Sequence, residues 1–137
     1  MSVPGPQQTI PDLEPSEVRW SVDAGLLVVE FRGRRHLPEH MAHCWHAIRD
    51  LAAELGFDKI LAIDMMDDEP FEGVVREQFI RALGIQSFAG SRWAYVARSL
   101  DRISAFEATQ LDAQAEGIDV RSFSSLSEAT LWVRFSG

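Results

Sequence analysis

The sequence predicts a single α/β domain, with a mixed sheet of about five strands covered by about four helices. Short runs of apolar and β-branched residues alternate with longer segments in which apolar residues recur at helical spacing. The first two runs are joined by Asp23-Ala24-Gly25, which has the composition of a hairpin turn. The predicted order of elements is therefore ββαβαβαβα.

Each element has its own local signal. Pro38 suits the first turn of a helix that Gly56 ends, and Ser125 with Glu128 forms a capping-box pattern before the last helix. The helix after Asp64 is predicted to turn Val74, Val75 and Phe79 inward, and to pair Glu72 with Arg76 on its outer side. We expect strands at 18–22, 26–31, 59–64, 93–97 and 118–123, and helices at 38–55, 71–83, 101–116 and 125–133.

Composition limits the classes of protein that fit. Residues 1–15 contain four prolines and are predicted to be a flexible tail, so the domain is placed at 16–137. A net charge of -8 argues against a nucleic-acid partner, and no apolar run approaches the roughly 20 residues of a membrane span. The single cysteine, Cys44, excludes an internal disulfide and is expected to be a small buried hydrophobe. We predict a cytoplasmic protein.

A set of segments, taken together, is similar to a known family. It comprises the opening hairpin, the strand that ends at Asp64, Phe71-Glu72-Gly73, 92–97, and 117–123 followed by Glu128-Ala129 and Trp132. In this order the segments resemble the STAS domain, the sulfate-transporter and anti-sigma-factor-antagonist domain. The resemblance is to its divergent branch, which is sometimes grouped with Sec14-like lipid-binding domains, and it covers about residues 16–133.

The resemblance implies a module that binds and signals without catalysis. Regulatory members are switched by phosphorylation of a serine at the start of the helix after the central strand. Residues 68–73 occupy that place here and contain no hydroxyl group, so the phosphoacceptor serine is predicted to be absent. Asp68, Glu69 and Glu72 could supply a fixed charge comparable to that of a phosphoserine. The alternative is that these acids cap the helix and favour its dipole.

The loop after Asp64 is the predicted ligand or partner surface, because α/β folds place working groups at the carboxyl ends of their strands. No serine, threonine, cysteine, histidine or lysine occurs at 65–86, so no catalytic constellation is found and no enzyme or cofactor is predicted. A single carboxylate, Asp64, acting as a base is the remaining enzymatic alternative. The predicted surface comprises Asp64, Met65, Met66, Asp67, Asp68, Glu69, Phe71, Glu72 and Gly73.

Two functions follow from this surface and stay open. The first is a regulatory module that binds a protein partner there, with homodimerisation as a further option. The second is a carrier or sensor for a lipid or other small apolar ligand, which would enter past Met65, Met66 and Phe71.

Two basic groupings are candidate sites. Arg32, Arg34, Arg35 and His36 precede a helix and could hold an anion, although a solvated strand end is the ordinary interpretation. The chain's four histidines are His36, His40, His43 and His46, and i,i+3 neighbours on a helix can share a metal ion. They lack a converging third ligand, so we predict a solvated helix face and no metal site.

Overall fold

Strands and helices alternate through residues 7–135, which are the residues that the computed structural model describes. The predicted α/β class with four helices is confirmed, and a short 3-10 helix, Ile85–Phe88, is added. The elements are β1 (Gln8–Thr9), β2 (Ser16–Asp23), β3 (Leu26–Gly33), α1 (Pro38–Leu55), β4 (Lys59–Asp64), α2 (Gly73–Leu83), β5 (Arg92–Ala97), α3 (Leu100–Ala115), β6 (Asp119–Phe123) and α4 (Leu126–Phe135).

The strands form one mixed sheet in the order β1-β2-β3-β4-β5-β6. Strands β1 to β3 pair antiparallel, and β3 to β6 pair parallel. Asp64, the last residue of β4, aligns with Phe31 on one side and with Ala97 on the other. The loops that follow β3, β4 and β5 therefore meet at one edge of the sheet.

The two faces of the sheet are covered unequally. Ile60 and Ala62 of β4 pack into the larger core, which α1, α2 and α3 cover. Leu61, between them in sequence, faces the other way and packs with Ala129 and Val133 of α4. This alternation is the two-residue period of a strand that is buried on both faces. None of the helices in residues 7–135 is both long and apolar enough to cross a membrane.

The fold begins before the predicted boundary at Ser16. Strand β1 pairs with β2, the Ile10 N–H donates to the Val18 carbonyl at 2.9 Å, and Leu13 is buried. The prediction of a flexible tail at 1–15 is therefore corrected for residues 8–15, which are tied to the domain by the pairing of β1 with β2 and by the burial of Leu13. Residues 1–6 of the predicted tail lie outside the described residues.

Gly33 is required where the N-terminal segment crosses the end of β3. Its φ is +78°, and a Cβ at this position would lie 2.5 Å from the Pro15 carbonyl oxygen. The Ser16 hydroxyl also donates to the Arg34 carbonyl, and this hydrogen bond joins the N-terminal segment to the end of β3 at the same place. Only glycine fits this close approach of two backbones.

Helix α2 does not have the predicted apolar stripe. Val74 is 69% exposed and Val75 is exposed too, whereas Phe79 and Leu83 pack on the core. The predicted ion pair between Glu72 and Arg76 is not formed, since Glu72 is exposed and the Arg76 side chain turns toward the core. The apolar face of α2 is thus shifted toward its carboxyl end, and its first turn presents valines to solvent.

Candidate functional site

Asp64 is a buried carboxylate that receives hydrogen bonds from four directions. Only 1% of its surface is exposed. Arg35 Nη2 donates to Oδ2 at 2.7 Å, and Arg102 Nη1 donates to Oδ1 at 3.2 Å. The Tyr95 hydroxyl also donates to Oδ2, and the Met66 N–H donates to Oδ1 at 2.9 Å. A buried charge is tolerated only when it is paired and hydrogen-bonded in this way.

The fold explains why these groups meet. Tyr95 aligns with Ala62, which is two residues before Asp64, so both side chains project from the same face of the sheet. Arg102 lies in the first turn of α3, where its N–H donates to the side chain of the N-cap residue Ser99 at 3.3 Å. Both β5 and the start of α3 are therefore placed against the end of β4.

Arg35 joins two loops as well as binding Asp64. Its Nε donates to the Glu69 carbonyl at 3.2 Å, and its Nη1 lies 3.1 Å from Met66 Sδ. Its backbone N–H donates to Asp68 Oδ2 at 3.0 Å. The loop after β3 and the loop after β4 are consequently held together by one buried arginine.

The electrostatics of this cluster favour a structural carboxylate. Burial, followed by the negative charge of Asp64, raises the pKa of the Tyr95 hydroxyl above its ordinary range, so Tyr95 stays a neutral donor. Both oxygens of Asp64 already accept hydrogen bonds from charged or neutral donors. The alternative in which Asp64 acts as a catalytic base therefore has no geometric support, since the carboxylate is buried and both of its oxygens are occupied by donors of the protein.

An outer cavity of about 60 Å³ lies beside this cluster. Its ionisable lining consists of Tyr95 and three arginines, Arg35, Arg76 and Arg102, and none of the described residues that line it is acidic. Arg76 is half-buried, and its Nη1 is buried without a hydrogen-bond partner among residues 7–135. The rest of the wall is mostly apolar, and half of its residues are aromatic, including Phe71.

An inner cavity of about 50 Å³ adjoins the outer one, between the sheet and helices α1 to α3. The two cavities share five lining residues, namely Trp45, Phe79, Tyr95, Phe106 and Thr109. The surface of the inner cavity is apolar. Trp93 also lines it, and the Trp93 Nε1 is buried without a partner in the described part of the chain.

The predicted surface after β4 is divided between the interior and the solvent. Asp64 and Met66 are buried, so neither side chain belongs to an exposed surface. Phe71 lines the outer cavity and lies 5.6 Å from Phe79 between ring centroids. Of the others, Met65 and Asp68 are half-buried, and Asp67, Glu69, Glu72 and Gly73 are exposed.

The acids of this loop do not cap α2 as expected. The N-cap residue Glu72 makes no side-chain cap hydrogen bond, and the first turn contains no acidic residue. Asp68 instead accepts the Arg35 N–H, because the loop folds back toward the end of β3. The capping interpretation of these residues is therefore wrong.

The predicted anion site before α1 does not assemble. Arg32 Nη2 pairs with Glu30 at 3.2 Å, and Arg35 turns inward to Asp64. Arg34 and His36 are exposed, and His36 has a φ of +61° in the loop that redirects the chain. The basic side chains diverge because β3 ends at Gly33, and the chain then turns through the positive-φ residues Gly33 and His36.

Two of the four histidines bind α1 to neighbouring segments. His40 Nε2 donates to the Leu13 carbonyl at 2.9 Å, and His46 Nε2 donates to the Leu83 carbonyl at 2.6 Å. The expectation of a solvated face is corrected at these two positions, while His43 is exposed. No group of three metal-ligating side chains occurs within residues 7–135.

Three residues of the cluster and of the outer cavity were missed from the sequence as site residues. Tyr95 was assigned to a strand, Arg76 to an exposed ion pair, and Arg102 to a helix without a special role. One signal was present, since an aspartate that ends a buried strand needs cationic partners, and Arg102 stands near the start of the helix after the next strand.

Comparisons of the chain with family models, with curated proteins and with solved structures found no match. The fold and the geometry of the site therefore carry the functional argument.

Proposed function

We propose that the protein is a carrier or sensor that binds a small apolar ligand in the inner cavity. The observation that carries this proposal is an apolar space of about 50 Å³ inside the main core. This space shares wall residues with the outer cavity at the edge of the sheet. Native cores are packed with few voids larger than a water molecule. A space of this size between sheet and helices is therefore a candidate binding site.

The volume limits the ligand. A single water needs roughly 10–15 Å³ of such space, so the inner cavity alone accepts a short alkyl group, and a ring would extend into the adjoining outer cavity of about 60 Å³. The ligand is therefore smaller than a long-chain lipid. Apolar cavities tend to stay dry, and burial of an apolar group in one is favoured by about 25 cal/mol for each Å² removed from water.

Trp93 adds a polar feature to this apolar site. Its indole is 3% exposed, and its Nε1–H has no hydrogen-bond partner in the described part of the chain. A buried donor without a partner costs about 1–3 kcal/mol. An aromatic ring packed against this N–H would accept a weak N–H···π contact and reduce the cost, which supports a site for an aromatic group.

A titration with benzene tests the proposal. The Trp93 indole N–H signal should shift in two-dimensional NMR spectra as benzene enters the inner cavity. Ala113 lines this cavity from α3, so Ala113→Leu should fill the space and abolish the shift. Ala115→Leu is the matched control, because Ala115 is exposed on the same helix.

Two results would contradict the proposal. One is a Trp93 signal that stays constant at saturating benzene. The other is an equal shift in the wild-type protein and in Ala113→Leu, which would place the bound benzene outside the inner cavity.

A second candidate function is a non-catalytic, STAS-like regulatory module that binds a protein partner in the cytoplasm. Val74 and Val75 favour it, because they are exposed on the first turn of α2 beside the acidic loop that lacks a phosphoacceptor hydroxyl. An apolar patch with an acidic border suits a partner that presents apolar and basic side chains.

Val74→Lys tests this second candidate. A partner isolated by affinity capture and identified by mass spectrometry should bind the purified wild-type protein and lose affinity for Val74→Lys. Leu111→Lys, on the exposed side of α3, is the control. Equal affinity of the two variants for that partner would exclude the α2 surface.

A further inference from the structure

We propose that the ligand of these cavities is a small apolar carboxylic acid, whose carboxylate is bound by Arg76 and Arg102 in the outer cavity. This inference rests on the proposed ligand-binding function and specifies the chemical class of the ligand. It is carried by the charges and the unused hydrogen-bond donors of the outer cavity.

The outer cavity has an excess of positive charge. Three arginines line it, namely Arg35, Arg76 and Arg102. Among residues 7–135, the carboxylates within 4 Å of these guanidinium groups are Asp64, which is paired with two of the arginines, and Asp68, whose Oδ1 lies 3.8 Å from Arg35 Nε. Three cations against two anions leave one positive charge, which one carboxylate of a ligand would balance.

The donors of two arginines are open to such a ligand. The buried Arg76 Nη1 has no partner among the described residues, although a guanidinium group forms strong hydrogen bonds to a carboxylate. The Arg102 side chain is 10% exposed and uses Nη1 for Asp64. A guanidinium carries five N–H donors, so Arg102 can bind Asp64 and a ligand at the same time.

The apolar part of the ligand follows from the walls that the two cavities share. Phe79 and Phe106 line both spaces, and Phe106 stacks on Tyr95 with 4.0 Å between ring centroids. A carboxylate held at Arg76 would direct the body of the ligand between these rings toward Trp93. An aromatic or short aliphatic acid therefore fits, whereas inorganic phosphate would leave the apolar surface uncovered.

The test compares three probes with the same apolar body and different end groups. They are phenylpropionate, phenylpropanol and phenylpropylamine, and their affinities for the full chain are measured by isothermal titration calorimetry. A hydrogen bond to a carboxylate from a guanidinium group is stronger than the same bond to a neutral hydroxyl. We therefore expect phenylpropionate to bind at least about tenfold more tightly than phenylpropanol, and phenylpropylamine to bind most weakly.

Arg76→Gln identifies the group that recognises the carboxylate. Arg76 forms no ion pair within residues 7–135, so this variant should fold normally and lose about tenfold in affinity for phenylpropionate, with little change for phenylpropanol. Arg81→Gln is the matched control, because Arg81 is exposed on the same helix. It should leave all three affinities unchanged.

The outcomes separate the inference from the function on which it rests. Equal binding of phenylpropionate and phenylpropanol would overturn the carboxylate inference and leave the apolar ligand site intact. A preference for phenylpropionate that Arg76→Gln leaves unchanged would overturn the role of Arg76. Failure of all three probes to bind, together with a negative benzene titration, would overturn both proposals.

Discussion

Replacing Asp64 by asparagine should reveal how much of the stability depends on the buried cluster. The substitution keeps the shape of the side chain and removes its charge. The guanidinium groups of Arg35 and Arg102 then remain buried without the carboxylate that neutralises them. The new amide would also direct its N–H₂ group at other donors, since both oxygens of Asp64 accept hydrogen bonds.

The expected loss can be calculated from the burial of the partners. The side chains of Arg35, Arg102 and Asp64 are 9%, 10% and 1% exposed. Removing one partner of a buried ion pair costs about 3–5 kcal/mol. A domain of this size has a free energy of unfolding of about 5–15 kcal/mol, so Asp64→Asn should remove about a fifth of it or more.

Urea denaturation followed by tryptophan fluorescence measures this loss. With a slope of about 1–3 kcal/mol per M, the midpoint should fall by roughly 2 M. Asp67→Asn is the control, because Asp67 is exposed on the same loop, and it should change the free energy by less than about 0.5 kcal/mol. If Asp64→Asn unfolded at the same urea concentration as Asp67→Asn, the buried ion pairs of Asp64 would not stabilise the fold.

Two further predictions concern stability. Gly33→Ala should destabilise the protein by about 1–2 kcal/mol more than Gly25→Ala in the same denaturation assay. Both glycines have a positive φ, but only at Gly33 would the added Cβ collide with a backbone oxygen. Equal losses in the two variants would contradict the close approach at Gly33. A second prediction concerns Cys44, because burial raises the pKa of its thiol from 9.0 to about 11. The unfolded chain therefore loses the thiol proton at a lower pH than the folded chain. The stabilisation by the protonated thiol is complete below about pH 9 and is lost as the pH rises to about 11. The loss in the free energy of unfolding amounts to about 2–3 kcal/mol. Thermal unfolding between about pH 9 and pH 11 should show this loss in the wild-type protein and a smaller loss in Cys44→Ala. Identical pH profiles of the two proteins would refute the contribution of Cys44.

The elements of the fold could be predicted because their signals are local. The strand at Lys59–Asp64 has an unbroken run of apolar residues, and α1 has Pro38 at its start and Gly56 at its end. Such signals do not depend on distant parts of the chain. Strand β1 was missed, because two residues between prolines carry no periodicity and pair only when β2 is already in place.

The candidate site was predicted in part. The edge of the sheet at Asp64 was identified from the loop after a parallel strand, and Phe71 does line the outer cavity. The partners of Asp64 could not be identified, because Arg35, Tyr95 and Arg102 are 29 to 38 residues away in sequence. Which of several arginines turns inward depends on packing, and the spacing of residues along one helix does not contain that information.

The position of a bound acid is the most direct test of the account. A crystal structure of the protein with bromophenylpropionate would locate the bromine by its anomalous scattering. We expect the bromine in the inner cavity beside Trp93 and the carboxylate within hydrogen-bond distance of Arg76. A bromine bound elsewhere, for example on the exposed first turn of α2 beside Val74, would contradict the proposed site.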